Sequence, residues 1–206
     1  LQDFPTVWRV SFDRAANTKT ITWLLESSPT SPGEEYTIEI YANDDADKSG
    51  FGEGKEFLEE TTVSTDENGR VLFDTTHPMG KQYIAATATD PDGNTSEFSM
   101  VDTDGDALAD AWEIDEDGGG DDKGDNLIDF NEDGTGDLQL GKWGAASGPD
   151  PSHKDIYGEV DHMRNHAPRG NTLSGVRTAF GNAPQSLVQN PDGQNGITLH
   201  TRVDDS

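Results

Sequence analysis

Between Asp102 and Asp137, fifteen of 36 residues are Asp or Glu, and Lys123 is the only base. Fifteen like charges do not pack against one another unaided, and such blocks are ordinarily solvated, disordered tails. The spacing argues for something else. Asp102-Thr103-Asp104-Gly105-Asp106 puts an acid at every second position, followed by the short apolar stretch Ala107-Leu108-Ala109 and two further acids, Asp110 and Glu113. The segment also divides the chain, because neither flank shares its composition.

Up to about Met100 the hydrophobic pattern has a period of two, with turn residues between the runs, as a β-sandwich requires. It predicts strands near Thr6 to Phe12, Lys19 to Leu25, Glu35 to Ala42, Phe57 to Ser64, Arg70 to Asp74, Gln82 to Asp90 and Thr95 to Met100. In the third run Tyr36, Ile38 and Ile40 share one face and Thr37, Glu39 and Tyr41 the other, the mark of a half-buried strand. Asn68-Gly69 and Asp90-Pro91-Asp92-Gly93-Asn94 supply turns. Tyr36 to Asp44, Gly52-Glu53-Gly54 and the stretch YIAATATDPDGNTSEF from Tyr83 to Phe98 resemble the immunoglobulin-like modules near the ends of large bacterial surface and secreted proteins.

Beyond the acidic segment the pattern changes again. Asp155 to Met163 reads as a strand, Thr172 to Gly181 as a helix with Leu173, Val176 and Phe180 on one face, and Ile197 to Val203 as a second strand. Strand, helix, strand predicts a βαβ crossover. The expected fold class is therefore multi-part and mainly β. An Ig-like antiparallel β-sandwich over 1–100 leads into an Asp-rich calcium-binding loop linker over 101–140, and a small, incomplete C-terminal α/β unit occupies 141–206.

Composition narrows the partners. The 206 residues carry 41 Asp+Glu against 14 Lys+Arg, a net charge of -27, which excludes nucleic acid and anionic membranes and favours cations. No apolar run approaches the roughly 20 residues a membrane span needs, so no membrane insertion is expected. Without any Cys there is neither a disulfide framework nor a thiolate zinc site. Leu1-Gln2-Asp3-Phe4-Pro5 lacks the basic start and apolar stretch of a signal peptide, so the numbering is expected to begin inside a longer precursor.

Calcium takes six to eight hard oxygens, and a calcium loop places ligands at positions 1, 3, 5, 7, 9 and 12. Counted from Asp102, these positions are Asp102, Asp104, Asp106, the carbonyl of Leu108, Asp110 and Glu113. The departure is Ala107 at position six, where glycine is usual because the chain turns sharply there. A second loop offers Asp129, Asn131, Asp133, Thr135 and Asp137, with Gly134 at position six but Leu140 at position twelve. Gathering five carboxylates without a cation would cost roughly 10 to 40 kcal/mol, about 1 to 4 for each of ten pairs at 4 Å. Ordering and ion binding are thus expected to be coupled. Both loops resemble the calcium repeats of thrombospondin type 3 and dockerin-like segments, a resemblance that implies a stiffened connection between domains.

Two other clusters draw attention. Asp90, Asp92, Asn94 and Glu97 lie close in sequence but are ordinary turn formers. His162 and His166 are four apart, a zinc spacing only on a helix, yet they follow a predicted strand and precede Pro168. Neither H-E-x-x-H nor G-x-S-x-G occurs. His153 to Asp161, Ala179-Phe180 and Asn190 to His200 nevertheless resemble the opening βαβ portion of a bacterial secreted zinc-metalloprotease-like domain, whose zinc helix would lie beyond Ser206. The leading expectation is a non-catalytic, calcium-binding extracellular or cell-surface module. The alternatives are the N-terminal fragment of a secreted zinc metalloprotease, and a subunit of a calcium-dependent polymer whose open sheet edges pair with further copies or with another surface protein.

Overall fold

The computed structural model describes residues 3–27, 33–47, 49–114, 127–128, 138–140 and 148–204. The chain divides into two compact units, Leu1–Ala111 and Trp112–Ser206, and is mainly β.

The first unit contains β1 (Thr6–Asp13), β2 (Thr18–Glu26), β3 (Glu35–Ala42), β4 (Glu56–Ser64), β5 (Arg70–Pro78) and β6 (Ile84–Thr89). They form two three-stranded antiparallel sheets, ordered β1-β2-β5 and β4-β3-β6. The alternation read from sequence sets the faces: Ile21, Trp23 and Leu25 of β2 and Tyr36, Ile38 and Ile40 of β3 all point inward. They meet Val10, Val63, Ile84, Ala86 and Ala88 in one buried cluster drawn from both sheets. A fully buried Leu, Ile or Val side chain is worth about 1.5–3 kcal/mol, so this cluster is the main stabilising term of the unit. Trp23 brings a polar group inside, and its indole Nε1–H donates to Thr75 Oγ1 at 2.9 Å.

Six of the seven expected strands form, the third with the expected bounds and the others with shifted ends. The fifth runs on to Pro78, and the sixth starts only at Ile84 because Tyr83 takes a positive φ of 46°. The expected strand from Thr95 to Met100 is corrected: this segment makes only isolated bridges, Thr89 to Thr95 and Phe51 to Met100. The reason lies in its serines. Ser96 and Ser99 hydroxyls accept the backbone N–H groups of Ala88 and Ala86, replacing the carbonyls a ladder would offer. Alongside, Gly52 runs so close to β6 that a Cβ there would lie 2.0 Å from that of Ala85. The expected turn at Asn68-Gly69 forms, with Gly69 at φ 76° and the Asp66 carboxylate accepting from Asn68 N and Arg70 N.

The second unit holds α1 (Asp110–Glu113, which begins at the end of the first unit), the short antiparallel pair β7 (Leu127–Ile128) and β8 (Leu138–Gln139), then β9 (Asp155–Asp161), α2 (Gly170–Gly181), α3 (Gln185–Val188) and β10 (Thr198–Asp204). β9 and β10 pair in parallel with α2 and α3 in the connecting chain. The first strand ends two residues before the expected Met163, and the helix starts two residues before Thr172. α2 lies along β10, where Arg177 donates to Thr201. Beneath the Pro191-Asp192-Gly193 turn the fully buried Asn190 amide donates to the carbonyls of Gly196 and Gln194. No described helix is long and apolar enough to cross a membrane.

Candidate metal centre

The stretch after β6 is anchored at its root. Val101 N donates to Gly50 O, Gly52 N to Ser99 O, and Asp110 N closes the loop onto Val101 O at 2.9 Å. Within this closed loop the side chains that were expected as ligands shape the backbone. Asp102 Oδ1 accepts from Gly105 N at 2.6 Å and Asp106 N at 3.3 Å, and its Oδ2 accepts from Ala107 N at 2.9 Å. Asp106 Oδ1 accepts from Leu108 N at 2.9 Å. Short carboxylates turn a chain in this way because they reach backbone N–H groups two to five residues ahead.

Two positions take left-handed backbone, Gly105 at φ 77° and Ala107 at φ 76°. The first suits glycine. The second is strained by about 1–2 kcal/mol, since a Cβ crowds the carbonyl there. Position six of the loop thus adopts the conformation that glycine usually supplies, and alanine is held in it by the Asp102 bond.

The result is a convergence of charge. Oxygens of Asp102, Asp104 and Asp106 lie within 4.8 Å of one another, a group able to hold a metal ion. Asp104 is 0% exposed, Asp102 is 6% exposed and Asp106 is half-buried. At that separation each pair of carboxylates repels by about 1 to 4 kcal/mol, depending on how much water screens it. A divalent cation removes that cost and supplies the counter-charge that buried carboxylates require.

Asp110 also closes the loop. Its Oδ1 accepts from Thr103 N at 2.7 Å and its Oδ2 from the Thr103 hydroxyl at 2.5 Å, so it clips the two ends of the loop together. Burial pushes its carboxyl up to about 7, against the Thr103 bonds that pull it down; the charge of Asp102 raises it further and Lys19 lowers it. Lys19 is an inward-facing residue of β2, 3% exposed, whose amine burial lowers to about 8 while the Asp110 charge raises it. Neither Thr103 nor Lys19 stands out in the sequence as part of a site. Thr103 is signalled only by its place between two acids, and Lys19 only by interrupting the inward-facing apolar positions of its strand.

Leu108 sits in the loop, half-buried, and Glu113 ends α1 as a buried carboxylate. The expected second loop, Asp129, Asn131, Asp133, Thr135 and Asp137, lies outside the described residues. Asp90 is engaged in its own turn: it accepts from Asp92 N and Asn94 N, and the Asn94 bonds hold its carboxyl below the usual range. His162 and His166 each bond a neighbouring carbonyl, of Met163 and Arg164, and neither falls in a group of described residues close enough to share an ion. In the second unit His200 pairs with Asp155 and stacks on Tyr157 at 4.3 Å, a buried arrangement that no sequence motif signals.

No family model matches the chain, and no curated protein matches it.

Proposed function

We infer that the loop Asp102 to Asp110 binds calcium, and that the chain is a calcium-stabilised, non-catalytic module of a secreted or cell-surface bacterial protein. One observation carries the reading: three carboxylates converge within 4.8 Å, with Asp104 fully buried, in a loop that its own side chains hold closed. Hard oxygen ligands at alternate positions suit calcium better than zinc or copper, which prefer nitrogen and sulfur. Asp102, Asp104, Asp106 and the Leu108 carbonyl serve as ligands; Asp110 positions the loop. The core shared by two antiparallel sheets supports an Ig-like sandwich as the part that displays the loop. The parallel β9–β10 pair with two helices between supports a small α/β unit.

Calcium titration by calorimetry and circular dichroism on one sample tests this. The expected result is a heat of binding below millimolar calcium that is lost in Asp104→Asn. No heat at millimolar calcium in the unaltered chain would sink the reading, and magnesium displacing calcium at equal concentration would overturn the choice of ion.

A further inference from the structure

We propose that the outer face of the β4-β3-β6 sheet binds a basic segment of another protein, holding a lysine or arginine head group between an aromatic trio and a pair of carboxylates. Register builds the face. β3 and β4 set Tyr41 opposite Phe57 and Glu39 opposite Glu60, with a bulge between the two pairs. The Tyr41 ring meets Phe57 edge-on at 5.7 Å and Phe98 edge-on at 5.5 Å. Gly54 makes room for this packing, because a Cβ there would lie 2.9 Å from the Phe98 ring. Phe57 remains 54% exposed.

The carboxylates point to the chemistry of the partner. Like charges directly opposite on an antiparallel pair are destabilising, and among the described residues no base is ion-paired to Glu39 or Glu60. The lysines at the Phe57 end of β4 are already engaged, Lys55 with Asp44 and Lys81 with Glu56. Glu39 adjoins the aromatic trio: burial and then its charge hold the Tyr41 hydroxyl above the ordinary value. Ring faces attract cations, more strongly where water is displaced, and a carboxylate pair alongside adds a second contact for the same head group. A chain of net charge -27 repels acidic segments and copies of itself, so the fitting occupant is basic.

Calorimetry of the full chain with a twelve-residue Lys-Gly repeat peptide, and with its Glu-Gly counterpart, at about 0.1 M salt tests the proposal. The basic peptide is expected to bind and the acidic one not. Phe57→Ala leaves every charge in place and is expected to weaken binding about fivefold. Glu60→Gln is expected to weaken it about two- to threefold, and Glu67→Gln, in the turn after β4, less than about twofold. Equal affinities for Phe57→Ala and Glu67→Gln would mean that only the overall charge attracts the peptide, which overturns the proposal; so would no binding of the basic peptide.

Discussion

The sheet core and the two most buried acids of the loop in the first unit are withdrawn from water to the same depth by opposite means. Trp23, Ile38 and Ile40 are withdrawn from water because their surfaces are apolar, whereas Asp104 and Asp110 are withdrawn although each would rather be solvated. The core supplies its own driving force. The loop draws on backbone hydrogen bonds and on the proposed cation. The two halves of one compact unit should therefore answer differently to truncation, chelation and acid.

Trp23→Ala provides the largest separation. It empties a fully buried site and deletes the bond to Thr75, so urea unfolding should show a loss of about 3–5 kcal/mol, equal in calcium and in chelator. A loss that depended on calcium would mean that core and loop are not separable. Removing the ion makes the converse test. Calcium at about a hundred times its dissociation constant should add about 2.7 kcal/mol to the unfolding free energy, and Asp104→Asn should abolish that increment. Retention of the whole increment in the variant would remove Asp104 from the site.

Ala107→Gly sharpens the comparison from the side of the backbone. Relief of the left-handed alanine, less the entropy glycine loses on folding, should stabilise the unit by about 0.5–1 kcal/mol, read as a higher urea midpoint. A lower midpoint would show that the methyl group packs usefully.

Acid tests a buried histidine beside the core. Burial, and then the nearby Lys19 charge, lower His77 to about 4, with its Nε2 at 2.9 Å from Thr75 Oγ1 and 3.6 Å from Glu59 Oε1. Because the folded value lies below the unfolded one, the unfolded chain binds the extra proton. Stability is full above about 6.5 and is lost as pH falls toward 4. His77→Gln should flatten the dependence of unfolding free energy on pH in that window, and an unchanged slope would assign the dependence to carboxylates alone.

Much of this was legible locally. The alternation in Tyr36–Ile40 is enough to name the inward face of β3, since period two fixes which side chains share a side. The spacing of Asp102, Asp104 and Asp106 names the residues that converge. The run from Thr95 to Met100 has a strand-like pattern but forms no strand, because Ser96 and Ser99 offer the N–H groups of Ala88 and Ala86 their hydroxyls in place of carbonyls. The sequence pattern ends the fifth strand at Asp74 because Thr75-Thr76-His77-Pro78 reads as polar, though Thr75 and His77 point inward and the strand runs on to Pro78.

Sequence alone determined the alternation that makes strands and the order of acids that makes a closed loop, because both are set by neighbours a few residues apart. Tertiary structure alone decided that Asp104 would be fully buried, that Lys19 would lie near Asp110 from 91 residues away, and that Tyr41, Phe57 and Phe98 would share a face. Those depend on strand register and burial, which are settled only when distant segments compete for the same core.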